Sequence, residues 1–96
     1  MIFFVYILYS PSTGSYYVGQ TEDLYQRIEK HNSATFINSY TKTRGPWEIY
    51  HTIECVSRKQ AVNIESHLKK MKSVKYYHSI KNYPEIVEKL KIKYPN

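Results

Sequence analysis

A chain of 96 residues has room for one domain and one core, because a fold of that size hides only about two-thirds of the surface its unfolded chain exposes. With 42% apolar residues and turns spread along its length, it excludes a disordered or low-complexity protein, and its single cysteine, Cys55, excludes an internal disulfide and fits a reducing compartment. Fourteen Lys and Arg against eight Asp and Glu give a formal charge of +6, which favours a polyanion such as nucleic acid, with a solvated basic surface as the alternative.

The opening run from Ile2 to Tyr9 is β-branched, aromatic or leucine throughout. It has no basic leader and is far shorter than the ~20 residues of a membrane helix, so it predicts a strand covered on both faces in a soluble, cytoplasmic protein. Pro11 to Ser15 is turn chemistry, and Tyr16 to Gln20 reads as the returning strand of a hairpin. Loop length decides which residues share a face. A three-residue loop, Ser12 to Gly14 with Gly14 left-handed, puts Tyr6 and Tyr17 on opposite faces. A four-residue loop, Ser12 to Ser15, brings Tyr6, Leu8, Tyr17 and Gly19 to one face.

Thr21 or Asp23 can cap a helix running to about Asn32. At helical spacing Leu24, Ile28 and His31 share a face that Arg27 borders, so Arg27 and His31 project together. Ser33 to Pro46 predicts an ordered loop or partly helical connection with a basic centre at Tyr40 to Gly45. Trp47, Ile49, His51 and Ile53 then alternate with Glu48, Tyr50, Thr52 and Glu54 as a third strand. Ser57 and Gln60 match a capping box and start a second helix, whose buried stripe is Ala61, Ile64, Leu68 and Met71. Glu65 lies beside the centre of that stripe, where a carboxylate is costly unless something pairs with it. Lys72 to Asn96 predicts two short helices broken near Tyr83-Pro84.

Two tyrosines on adjacent strands, an arginine and a histidine on one helix and a lone glutamate on another suit phosphodiester hydrolysis. That reaction needs a deprotonated water, a cation for charge on the non-bridging oxygens and a Lewis acid for the leaving oxygen. Each residue also has a plainer reading. Tyr6 and Tyr17 can be ordinary sheet tyrosines, Gly19 can serve close backbone packing, and Arg27 can pair with Asp23 one turn earlier. His31 suits a helix C-terminus, and Glu65 can salt-bridge Lys69. His51 and His67 read as structural or exposed residues.

At these positions the sequence resembles the GIY-YIG nuclease family. Phe4-Val5-Tyr6 stands where the family has Gly-Ile-Tyr, and Tyr17-Val18-Gly19 stands for Tyr-Ile-Gly. Thr21-Glu22-Asp23-Leu24 with Arg27, then His31-Asn32, is similar to its first-helix signature. Tyr40-Thr41-Lys42 through Gly45-Pro46-Trp47 is similar to the loop and third strand of its small standalone members, and Ala61, Glu65 and Lys69 resemble the metal-binding helix. The match runs from about Phe3 to Lys75. Departures are Phe4 for the first glycine, Gln20 where excision-repair relatives carry a lysine, and Tyr76-Tyr77 where some relatives carry an asparagine.

The resemblance implies an α+β fold, a small three-stranded antiparallel sheet flanked by helices in the order β-β-α-β-α-α over residues 1–83. A C-terminal helix over 84–96 packs on or trails from the same domain. It implies a metal-dependent endonuclease acting on DNA, or alternatively RNA, with one Mg²⁺ or Mn²⁺ held by Glu65. Tyr6 or Tyr17 orients or deprotonates the water, a neighbouring cation favouring its phenolate. Arg27 steadies the scissile phosphate, His31 assists proton transfer, and Gly19 is structural at the site. Lys42, Arg44, Lys69, Lys72 and Lys75 are the candidate nucleic-acid contacts. No membrane partner is expected, a protein partner supplying specificity fits so small a domain, and a monomer is compatible with the sequence. The competing functions are a nucleic-acid-binding module that turns over slowly or not at all, and a protein-interaction domain.

Overall fold

A computed structural model describes residues 2–33, 41 and 43–96. Its sheet has three antiparallel strands, β1 (Phe3–Ser10), β2 (Ser15–Thr21) and β3 (Glu48–Cys55), in the order β2-β1-β3. Four helices stand among the described residues: α1 (Leu24–Asn32), α2 (Arg58–Met71), α3 (Val74–Asn82) and α4 (Pro84–Lys93). The unbroken apolar character of β1 matches its central place, since both of its faces and both of its edges are covered. No described helix is long and apolar enough to cross a membrane.

The hairpin register decides the site. Ser10 pairs with Ser15 and Tyr6 with Gly19, so the loop is Pro11 to Gly14, four residues long. This differs from both expected loops. It starts one residue earlier than the four-residue version, yet Gly14 still takes the left-handed conformation, at φ +71°, that the three-residue version required. Gly14 N–H closes the turn on Ser10 C=O at 2.7 Å. An even loop preserves the parity, and Tyr6, Leu8, Tyr17 and Gly19 share one face.

That face packs on α1 and the opposite face on α2. Val5, Ile7, Val18, Ile53 and Cys55 form the main core with Ala61, Ile64 and Leu68 of α2, Tyr77 and Ile80 of α3 and Leu90 of α4. Tyr6, Leu8 and Trp47 make a smaller cluster, against which Tyr17, Leu24 and Ile28 lie. Asp23 is the N-cap of α1, accepting from Gln26 N–H at 3.1 Å, while Thr21 braces the cap from outside the helix. Ser57 caps α2 as its pattern predicts. Gln60 reaches one residue further than a capping box requires, accepting from Val56 N–H and donating to Tyr94 C=O, which ties the chain after α4 to the start of α2.

Two expectations fail locally. The alternation assigned to β3 is interrupted by a bulge, because Ile7 pairs with His51 but Leu8 pairs with Ile49, leaving Tyr50 as the extra residue. Trp47 and Ile53 therefore serve opposite faces, and Tyr50 joins the main core. Met71, expected in the buried stripe of α2, is 45% exposed, because the helix ends there and Lys72 turns left-handed at φ 47°. The connection from Ser33 to Pro46 falls largely on residues 34–40 and 42, outside the described residues.

Asn32, the last residue of α1, clamps the entry to β3. Its amide donates to Trp47 C=O at 2.8 Å and accepts from Trp47 N–H at 2.5 Å. The Asn32→Ala substitution leaves both backbone groups without their partner, so it should destabilise the fold by about 2 kcal/mol. Urea unfolding followed by Trp47 fluorescence checks this.

Candidate active site

Gly19 makes the centre of the site possible. A Cβ built on it would fall inside the ring and hydroxyl of Tyr6, both well under van der Waals contact. Its cross-strand neighbour Tyr6 therefore lies flat across the glycine backbone and turns its hydroxyl towards α1, with the residue only 1% exposed. There Tyr6 Oη meets His31 Nε2 at 3.0 Å. His31, placed by the last turn of α1, is 2% exposed. It is a buried partner of the strand tyrosine, a different role from the exposed charge that a helix C-terminus attracts. Tyr17 completes the cluster, its ring centroid 4.9 Å from His31 and 6.4 Å from Tyr6.

The electrostatics of this cluster oppose charge. Burial holds the Tyr6 hydroxyl above its ordinary range, with Tyr17 adding to the effect, Arg27 opposing it and Glu65 adding a little more. Burial, reinforced by the Arg27 guanidinium, lowers His31 from 6.5 to about 4. Arg27 favours the Tyr6 phenolate, as a neighbouring cation should, but desolvation outweighs its attraction in the free protein. The pair is a neutral donor and a neutral acceptor at pH 7. His31 Nδ1 has no hydrogen-bond partner among the described residues, so nothing on that side fixes the tautomer.

Arg27 stands one turn before His31, half-buried, and makes no ion pair with Asp23. Among the described residues the ion pairs are Arg58–Glu22 and Lys69–Glu65. Glu65 comes from α2, and its charge reaches Tyr6. Its side chain is 18% exposed and pairs with Lys69 Nζ at 3.0 Å, so the plainer reading of that glutamate holds in the free protein. Gln20 is turned to the other face of β2, where it accepts from Arg58 at 3.0 Å; it takes no part in the tyrosine pair.

The fold thus gathers Tyr6, Tyr17, Arg27 and His31 on the α1 face, with Gly19 beneath them and Glu65 within electrostatic reach. Of the basic candidates, Lys69 lies 5.6 Å from the Tyr17 ring centroid, and Lys69 and Lys72 border a groove of about 650 Å³ along β2. Tyr16, Tyr17, Val18, Val74 and Tyr77 supply its walls. Lys75 is exposed on α3 without lining that groove, and Arg44 is half-buried in the turn before β3. Lys42 lies outside the described residues. Sequence reasoning missed the Asn32 clamp, whose only local signal was an amide at a helix end. It also missed Tyr77 and Val74 as groove walls, since nothing short-range links them to β2.

A family model described as the GIY-YIG catalytic domain matches residues 2–78. Among curated proteins, a UPF0213 protein of Syntrophus aciditrophicus is 33% identical over 82 residues, covering 85% of this chain and 93% of that protein. Among solved structures, the solution NMR structure of a UPF0213 protein from Bacillus halodurans is similar at 32% identity. Its TM-score is 0.52, with 86% of each chain covered.

The histidine carries a pH signature. Its folded pKa is depressed, so the neutral form is the one the fold holds. The resulting stability is fully present above the unfolded value of 6.5 and is lost as pH falls through the window towards 4. A shift of that size corresponds to about 3 kcal/mol. Urea midpoints at pH 7 and pH 4.5 should differ accordingly, and an NMR titration should show the His31 ring neutral until well below pH 6. A His31 midpoint near 6.5 contradicts the burial.

Proposed function

The chain belongs to the GIY-YIG catalytic-domain family, whose members are usually nucleases, and on that footing we propose that it is a divalent-metal-dependent endonuclease hydrolysing phosphodiester bonds in DNA or RNA. The observation that carries the proposal is the buried Tyr6–His31 hydrogen bond, with an arginine acting on both groups that has no carboxylate partner among the described residues. A structural tyrosine–histidine pair needs no free guanidinium beside it. A site for a phosphodiester does.

In this reading Arg27 binds the non-bridging oxygens of the scissile phosphate, where charge grows in the transition state. Tyr6 Oη accepts a proton from the attacking water while its own proton passes to His31 Nε2, a relay that starts and ends without a buried phenolate. The low basicity of His31 belongs to the free protein. The phosphodiester monoanion beside it favours the imidazolium and raises its pKa towards the working range. Tyr17, its ring tilted against the same histidine, restricts where the water and the phosphate can stand.

Glu65 is the residue that would hold the metal. The donor set suits Mg²⁺ or Mn²⁺, which bind through one or two carboxylates plus substrate oxygens and keep several waters. It does not suit a closed tetrahedral site, because no group of three or more His, Cys, Asp or Glu side chains converges among the described residues. When bound there, such an ion supplies Lewis-acid stabilisation of the leaving oxygen.

One observation favours a second reading. Glu65 is engaged by Lys69, which is the arrangement expected of a module that grips nucleic acid and does not cut it. Incubation with flap, branched, single-stranded and double-stranded DNA and RNA plus Mg²⁺ or Mn²⁺ separates the two. Arg27→Ala and Glu65→Gln should each lower cleavage at least about a hundredfold, with Glu65→Gln leaving salt-sensitive binding intact. Cleavage undiminished in both variants would place the site elsewhere, and binding without any cleavage by the parent protein would favour the module.

A further inference from the structure

Lys69 stands at the junction of two features. Its Nζ pairs with Glu65 Oε2 at 3.0 Å and lies 5.6 Å from the centre of the Tyr17 ring. The same residue lines the groove that runs along β2 past Val18 to Tyr16 and Tyr77, with Lys72 as the other cation in its lining. An ion pair four residues apart on an exposed helix is worth little and needs no functional account. This one is asymmetric. The Lys69 side chain is 50% exposed, whereas that of Glu65 is 18% exposed and its charge is felt at Tyr6.

We propose that Lys69 is an exchangeable counter-ion: it neutralises Glu65 in the free protein and gives that carboxylate up to a divalent cation when its ammonium is drawn onto a nucleic-acid phosphate in the groove. The inference rests on the reading of Glu65 as the metal-holding carboxylate. Three physical points support it. A carboxylate most of whose surface is covered is stabilised by a cation beside it, and Lys69 fills that place in the free protein. An ammonium and a divalent ion on the same carboxylate repel each other, so the two occupants exclude one another. A lysine carries its charge on a flexible four-carbon stem, so Lys69 can turn from Glu65 towards the groove without moving α2. Lys72, held left-handed where α2 ends, is the groove's second cation for the same strand.

Metal and nucleic acid then bind cooperatively, and linkage requires each to strengthen the other by the same factor. The free protein holds its hydrolytic metal weakly, and substrate in the groove completes the site. The test is an Mn²⁺ titration followed by electron paramagnetic resonance, run in an Arg27→Ala background to prevent cutting. It is done with and without a short mixed-sequence oligodeoxynucleotide and corrected for Mn²⁺ bound by the oligonucleotide alone. The oligonucleotide should tighten Mn²⁺ binding about threefold to fivefold, the size of a partly screened ion pair. Adding Lys69→Met should give that tighter binding without oligonucleotide and no further gain with it, whereas Lys69→Arg should behave as the unsubstituted protein. Lys69→Gln is a second neutral variant should methionine disturb the groove, and thermal unfolding reports whether each variant keeps the fold. Equal Mn²⁺ affinity with lysine, methionine or glutamine at position 69 overturns the exchange and leaves the role of Glu65 standing. Mn²⁺ binding that Glu65→Gln does not weaken, or no Mn²⁺ binding at all, removes that role and the proposal with it.

Discussion

Tyr6 can be buried under α1 only because position 19, directly across from it in the hairpin, has no side chain. The ring fills the space a Cβ would take, its hydroxyl is carried to His31, and the histidine in turn fixes where the last turn of α1 meets the sheet. A buried hydroxyl without a partner costs several times what its hydrogen bond contributes net, so Tyr6 and His31 stabilise the fold only as a pair. Asn32, the next residue, extends the same constraint to β3 through the Trp47 backbone. Three strands and one helix are thus aligned by a tyrosine, a glycine and two adjacent polar residues.

The cost of this arrangement is chemical reticence. Burial drives Tyr6 and His31 towards their neutral forms, and Arg27 reinforces it at His31 while opposing it at Tyr6. A site poised to attack in the absence of substrate would need one of them charged, and Arg27 offsets the desolvation of Tyr6 only in part. An anionic ligand reverses the balance, because the phosphate supplies the negative charge that Arg27 and an imidazolium both lack. On the proposed reading, reactivity is therefore conditional on occupancy. The Glu65–Lys69 pair has the same sense, placing an ammonium 3.0 Å from a carboxylate near the site.

Most of this arrangement was legible in residue order. The central strand followed from an unbroken apolar run, the face of α1 from the spacing of Leu24, Ile28 and His31, and the second helix from its Ser57 cap. Register was legible only as a choice between odd and even loops. The chain combines an even loop with a left-handed Gly14, which local turn preferences assign to different hairpins. The bulge at Tyr50 was not legible, because alternation from Trp47 to Glu54 is equally regular with or without an extra residue. The direction of the Tyr6 shift could not be read either, since it depends on how completely α1 covers the ring, a property of packing between elements far apart in sequence.

The tyrosines show why composition is a weak guide here. Alternation sends Tyr6 and Tyr17 to the α1 face, and it sends Tyr9 and Tyr16 to the other, where Tyr16 packs against Tyr50 and Tyr77 and its hydroxyl meets His78 at 3.2 Å. Lys81 lies 4.3 Å from the Tyr50 ring centre in that second cluster, the same aromatic–cation pairing that Lys69 makes with Tyr17. Residue types alone do not distinguish a core boundary from a site. The distinction comes from the strand between the clusters. β2 is an edge strand of the sheet, and the groove lies along it, lined by Tyr16, Tyr17 and Val18. An edge strand is a liability that proteins blunt with lysine. Here Lys69 and Lys72 border it, which discourages pairing with another strand.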